Sequence, residues 1–201
     1  MNTKMYTSGE YLENNPTWHT EDSPWKAQQI YKILNNNNLL PKTVCEIGCG
    51  AGEILKQLSL KLDENVNFCG YEVSPQAYEL CKERESDRVH FFLKNLLEED
   101  KAFFDVLLVI DIIEHVEDYF GFLRKIRNKA EYKVFHIPLD LSAQTVLRSS
   151  PIIKGRQTVG HIHYFTKETA IASLIDTGYE IVDYFIQPVQ SIYLQDTLNH
   201  S

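Results

Sequence analysis

The chain has 201 residues, with 20 Lys and Arg against 28 Asp and Glu, for a formal net charge of −8. That length suits one domain with a large core and leaves little room for two. The acidic balance argues against a nucleic-acid or anionic-membrane binder, because phosphate contacts demand a basic surface. With 43% hydrophobic and 24% charged residues the composition is that of a globular protein. No apolar run reaches the roughly 18 residues of a membrane-spanning helix. The opening stretch MNTKMYTSGEYLENNPTWH lacks the apolar centre of a signal peptide. Four cysteines without a secretion signal (Cys45, Cys49, Cys69 and Cys81) predict reduced thiols and a cytoplasmic protein.

In chain order, Ser23-Pro24 reads as a cap with proline in the first turn. A helix follows from Pro24 to Leu34, with Ala27, Ile30, Tyr31 and Leu34 on one face. The Asn35–Asn38 run reads as a linker that sets an aromatic and helical lid segment, residues 1–40, apart from a domain over 41–201. Thr43 to Ile47 is a short strand, Glu53 to Leu60 a helix, and Val66 to Tyr71 a strand. Ser74-Pro75 opens a helix to Glu85, and Arg88 to Leu93 is a strand. Phe104 to Ile110 is strongly apolar, as expected of a strand buried on both faces. Tyr119 to Lys129 is a helix whose Arg124, Lys125, Arg127 and Lys129 suit a solvated face. Tyr132 to Ile137 is a strand, closed by Pro138. Thr166 caps a helix that Gly178 stops, and Tyr179 to Ile186 is a last strand. Alternating strands and helices predict an α/β fold: a doubly wound, mostly parallel sheet with helices on both faces. Ligands of such sheets bind at the carboxyl ends of the strands.

The first strand ends in Glu46-Ile47-Gly48-Cys49-Gly50-Ala51-Gly52, and a helix follows. Glycines there let the backbone turn tightly and approach a ligand. A dinucleotide fingerprint needs its third glycine where Glu53 stands, and that carboxylate would repel a pyrophosphate. Glu72 lies at the end of the second strand, 22 residues past Gly50. An acid there suits the two hydroxyls of a ribose.

These motifs, with Lys94-Asn95-Leu96-Leu97, the run from Phe104 to Val116 and Gly160-His161-Ile162-His163-Tyr164-Phe165-Thr166, fall in order over residues 40 to 187. In this the chain resembles the class I S-adenosylmethionine-dependent methyltransferases, with their Rossmann-like sheet. The Asp111-x-x-Glu114-His115-Val116 variant resembles the branch that acts on small molecules, including quinone-type and sugar-type acceptors. The resemblance implies that Glu46, Gly48, Cys49 and Gly50 cradle the methionine part of the cofactor. It implies that Glu72 holds the ribose and Val73 packs on the adenine. Asn95 stands where the family usually has Asp, keeps an acceptor oxygen and loses the charge; Leu96 follows it. Asp111 would lie beside the methionine moiety, and Ile112 would line the pocket. Carboxylates suit this cofactor, because its sulfonium and ammonium are cationic.

The expected activity is methyl transfer to the oxygen or nitrogen of a small-molecule acceptor, a sugar or aromatic hydroxyl for example. A hydroxyl acceptor benefits from a base, most often histidine. His161, His163 and His115 are the candidates, and His115 has loop packing as its alternative role. If the chain is extended there, His161 and His163 share a face. They end a long connection, Leu139 to Phe165, whose Arg148, Lys154 and Arg156 suit an anionic acceptor or simply a solvated loop. Two histidines with no further partner make a thin ligand set, so no metal is expected. Tyr11, Trp18, His19, Glu21, Asp22 and Trp25 read either as a lid over the site or as a staple for the first helix. The rival functions are a catalytically silent binding module and an enzyme acting on protein or RNA. The acidic charge argues against RNA. The family's closing hairpin finds only Ile192 to Leu194 as a final strand, either a stub or the sign of a fragment.

Overall fold

Five runs pair into one parallel sheet: β1 Thr43–Ile47, β2 Asn67–Glu72, β3 Val89–Leu93, β4 Phe104–Ile110 and β5 Ala130–His136, in the order β3-β2-β1-β4-β5. The computed structural model describes residues 11, 15–18, 20–148 and 150–186. His19 and the expected stub Ile192 to Leu194 lie outside them. The helices are α1 Ser23–Asn36, α2 Glu53–Ser59, α3 Pro75–Cys81, α4 Tyr119–Ile126, α5 Ala143–Arg148, α6 Ser150–Thr158 and α7 Lys167–Asp176.

The two-residue period of the strands sorts the core into two layers. Val44, Val106, Leu108 and Ile110 pack with Ala27, Ile30 and Leu34 of α1 and Ile54, Leu55 and Leu58 of α2. Cys45, Ile47, Leu107 and Val109 face the other way, onto Phe122, Leu123 and Ile126 of α4 and Ala170 and Leu174 of α7. From Val106 to Ile110 β4 is buried on both faces, which accounts for that apolar run, while the half-buried Asp105 near its start accepts the Lys42 and Thr43 N–H groups at 2.6 and 2.8 Å. α1 shares its core layer with β1 and α2, so the segment before residue 41 contributes to the same core.

Helix starts follow local chemistry. The Ser74 hydroxyl accepts the Ala77 N–H at 3.4 Å, ahead of Pro75 in the first turn of α3. Asp118 accepts the Gly121 N–H at 2.8 Å to cap α4. Thr166 and Thr169 cap α7 reciprocally, at 3.2 and 3.0 Å. At α1 the cap position falls on Asp22 rather than Ser23, and the Asp22 carboxylate turns instead to Lys26 at 2.9 Å. α1 also runs on through Asn35 and Asn36, and the left-handed Asn38 (φ +53°) follows its end.

Three expectations are corrected. Tyr179 to Ile186 forms no strand; a strand must exchange hydrogen bonds with a neighbour, none of the described residues pairs with it, and Val182, Tyr184, Phe185 and Ile186 are exposed. The connection from 139 to 165 is not irregular throughout, since it carries α5 and α6. Lys129 is not on a solvated face: it is buried, and its ammonium donates to the Glu99 carbonyl at 2.6 Å. Among the described residues no helix is long and apolar enough to cross a membrane.

Candidate functional site

The chain winds outward from β1 through β2 to β3, then returns to place β4 on the other side of β1. The carboxyl ends of β1 and β4 therefore diverge and open a crevice. A cleft of about 110 Å³ lies there, lined by Glu46, Gly48, Gly50 and Asp111 and, from the N-terminal segment, by Trp18 and Lys26.

The glycine loop is shaped by left-handed backbone. Gly48 lies at φ +65° and Gly52 at φ +78°, a region that other residues enter at a cost of about 1–2 kcal/mol. A Cβ on Gly52 would also meet the Phe91 ring at 2.5 Å. The Gly48 and Cys49 amides donate to the Tyr71 carbonyl at 2.7 and 3.2 Å, which joins the loop to the end of β2. Cys49 and Cys81 are buried, their sulfurs 4.0 Å apart, and all four cysteines are free.

Glu72 is buried and built into the backbone. One oxygen accepts the Val73 and Ser74 N–H groups, each at 2.8 Å, and the other accepts the Gly50 N–H at 2.9 Å. A carboxylate offers about four acceptor positions, so one is left for a ligand, against the two hydroxyl bonds that a ribose diol would ask of it. Burial raises its pKa and these three amides oppose the rise.

Glu46 differs. It is 2% exposed, and its Oε2 has no hydrogen-bond partner. Burial pushes its carboxyl well above the ordinary range; Lys26 works against the rise, and Glu72 and Asp111 add to it. Asp111 adopts φ +52° at the tip of β4. One of its oxygens meets His136 Nδ1 at 2.5 Å and the other Lys26 Nζ at 2.7 Å. Burial would raise its pKa, but His136 and Lys26 hold it well below the usual carboxylate range. Ile112 is buried against Gly48, where an added Cβ would meet its Cδ1 at 2.5 Å. Val73 is half-buried beside Glu72. Asn95 caps a short turn: its side-chain oxygen accepts the Leu97 N–H at 3.1 Å, and Leu96 is fully buried.

The histidines are distributed differently from their spacing in sequence. His161 and His163 do not act as a pair. His163 Nε2 donates to the carbonyls of Val116 and Glu117, at 3.0 and 3.2 Å, and its ring packs on Tyr119. His161 instead meets His115, ring centroids 4.9 Å apart, and its Nδ1 lies 2.7 Å from the Asp140 carboxylate. His115 Nδ1 faces the Gly160 carbonyl at 3.1 Å. Glu114, 1% exposed, has no hydrogen-bond partner on another residue for either carboxylate oxygen.

Lys26 and Asp140 carried no weight in the sequence. Lys26 had one signal: an ammonium in a first helical turn opposes the helix dipole and needs an acid nearby. Trp18, at φ +52°, packs its indole over Gly50 and against Tyr11, centroids 4.9 Å apart. A bulky residue is rarely held in that conformation.

A family profile described as "Methyltransferase domain" matches residues 45–130. This span runs from β1 to the start of β5 and contains the glycine loop, Glu72 and Asp111. This span, a little under half of the chain, is similar to a methyltransferase domain. Comparison with the curated proteins gives no match. Among solved structures, an O-methyltransferase family protein from Burkholderia thailandensis is similar at TM-score 0.64 and 14% identity, over 83% of this chain and 55% of that one. The present chain thus spans about half of that protein's length. Magnesium protoporphyrin IX methyltransferase from Synechocystis PCC 6803 is similar at TM-score 0.62 and 16% identity, over 80% of this chain and 74% of that one. The plantazolicin methyltransferase BpumL is similar at TM-score 0.57 and 13% identity, over 87% and 65%. At these identities the likeness shows the fold of the methyltransferase domain; the chemistry rests on this chain's own residues.

Proposed function

We propose that this chain transfers the methyl group of S-adenosylmethionine to a small hydroxylated acceptor, such as a sugar or a phenol. The observation that carries the reading is Glu46: a buried carboxylate with an unpartnered oxygen on the wall of a cleft that also holds a lysine ammonium. An amino-acid head group carries both charges. Its ammonium complements Glu46 and its carboxylate complements Lys26. Gly48, Cys49 and Gly50 bring bare backbone to the methionine part, and Asp111 stands across the cleft from it. Glu72, through its one remaining acceptor position, and Val73 suit the ribose and adenine side, with Asn95, Leu96 and Ile112 beyond.

When bound, the cofactor supplies a methyl group already activated by a sulfonium. What the protein must add is position, which can contribute roughly 7–11 kcal/mol in a well-oriented displacement. Tyr11 and Trp18 line the cleft from above and suit a lid that excludes water. On the acceptor side, His115 Nδ1 meets the Gly160 carbonyl and His161 Nδ1 the Asp140 carboxylate, which holds both rings in place. A hydroxyl placed there finds polar anchorage next to the Asp111 loop.

The deciding experiment is calorimetric titration with S-adenosylhomocysteine, followed by assay with methyl-labelled cofactor on a panel of sugars and phenols. One-to-one binding, weakened about tenfold or more in Glu46→Gln, and label in an acceptor are expected. Absence of binding overturns the cofactor reading. Binding without transfer to any compound of the panel or of a cell extract turns the reading into a silent binding module.

A further inference from the structure

Beyond the cofactor cleft, the cluster of the buried Glu114 and His115 with the half-buried His161 has the donor set and the support of a metal site. One atom from each residue, a carboxylate oxygen and two imidazole nitrogens, lies within 4.8 Å of the others. We infer that these three side chains bind a divalent transition-metal ion, with zinc the best match to the donors.

Three observations carry this independently of any resemblance. The first is the carboxylate. Both oxygens of Glu114 are buried and lack a partner on any other residue. A buried charged group without a partner costs several kcal/mol, so the position makes sense for a group that meets a cation. The second is the state of the imidazoles. His161 Nδ1 donates to Asp140 at 2.7 Å, and His115 Nδ1 donates to the Gly160 carbonyl at 3.1 Å. Each ring therefore donates through Nδ1 to a fixed acceptor. Metal-binding histidines are oriented in this way, with the second nitrogen donating to a carboxylate or carbonyl. The third is the spacing. His115 Nε2 and Glu114 Oε1 stand 3.9 Å apart, too far to hydrogen-bond and far enough for an ion between them.

Two nitrogens and one carboxylate oxygen suit zinc, whose three-ligand sites keep a fourth position for water or substrate. The all-oxygen shell that magnesium or calcium demands is not met. The chain reaches this arrangement by folding Gly160–His163 back over the turn after β4, where the Ile162 and His163 amides donate to the Glu114 carbonyl at 2.8 and 3.1 Å. The ion site itself does not depend on methyl transfer. One consequence does rest on the methyltransferase reading: an ion in that place lowers the pKa of an acceptor hydroxyl bound to its open position, which takes over the role of a base.

The test uses the full chain, stripped with a chelator and titrated with zinc chloride alone, then with cobalt(II) read by absorption. The expected result is one zinc per chain and visible cobalt bands without a thiolate charge-transfer band. His161→Gln and Glu114→Gln should each weaken zinc at least tenfold, and Asp140→Asn about 10–100-fold through the lost orientation of His161. His90→Gln, on β3 and exposed, should change nothing. Far-UV circular dichroism of each variant checks that it folds. The inference is overturned by no zinc uptake, by a thiolate band that assigns the ion to cysteines, or by a His90→Gln loss equal to that of His161→Gln. S-adenosylhomocysteine titrated into the stripped protein separates the two readings. Cofactor binding without zinc uptake overturns only the metal site, and zinc uptake without cofactor binding overturns only the methyltransferase reading.

Discussion

The carboxylate of Glu72 accepts the Gly50 N–H at 2.9 Å, and so ties the tip of β2 to the glycine loop of β1. Its other oxygen caps the turn at Val73 and Ser74. Glu72→Ala leaves the Gly50, Val73 and Ser74 N–H groups without this acceptor. The loss should cost about 1–3 kcal/mol. Thermal unfolding should shift down by roughly 2–4 °C for each of those kcal/mol. S-adenosylhomocysteine affinity should fall as well. An unchanged melting temperature with weakened ligand would instead assign Glu72 to the ligand alone.

Glu46 makes a different prediction, because burial holds its carboxyl in the protonated form to a higher pH than usual. An ammonium placed against it favours the charged form, so ligand binding should expel a proton. Titrations in buffers of different ionisation enthalpy should give different apparent binding enthalpies, and Glu46→Gln should remove the difference. Equal enthalpies in all buffers for the unaltered protein would show that no proton leaves.

The sheet was legible because its signal is repeated: strands with two-residue alternation, a β4 that is apolar from Val106 to Ile110, and turns marked by glycine and proline. The glycine loop, Glu46 and Asp111 were legible as well, since each sits at a strand tip and the fold dictates where strand tips go. The histidines were not. His161 meets His115 across 46 positions of sequence and Asp140 across 21, and no local period encodes contacts made by a chain folding back over a loop. Tyr179 to Ile186 misled for the opposite reason. Its apolar residues carry strand propensity, but propensity does not supply a neighbouring strand to pair with.

The buried acids give the protein a distinctive dependence of stability on pH. Glu46 and Glu114 both have folded pKa values above their unfolded ones, with burial as the first cause. Such groups favour the folded state below the unfolded carboxyl range, and that contribution is lost as pH rises through the folded value. Glu72 acts in the same sense. Urea midpoints should therefore fall between about pH 5 and about pH 8. Glu114→Gln should flatten the profile and raise the midpoint at the alkaline end. A profile identical to that of the parent would mean that Glu114 ionises in the folded state as readily as in the unfolded chain.

Asp111 has the opposite sign, and its charge can be removed without disturbing its backbone. Its folded pKa lies below the unfolded one, so its contribution is present above the unfolded value and disappears only in strong acid. Between about pH 5 and about pH 8 it should be constant. Asn tolerates the left-handed φ of +52° that this position requires, whereas Ala would add backbone strain. Asp111→Asn thus isolates the ion pair. It leaves Lys26, 11% exposed at its side chain, with Asp22 as its remaining ion-pair partner at 2.9 Å. A buried ammonium that loses one of two carboxylates should cost about 1–3 kcal/mol, short of the loss expected for complete isolation. Denaturant midpoints should drop most at the acid end of that window and less at the alkaline end, because the Asp111 charge also raises the Glu46 and Glu114 pKa values, and Lys26→Met in the same background should recover part of the loss. A deficit that grows steadily with pH would place the Asp111 charge in the unfolded chain's range and remove it from the pair.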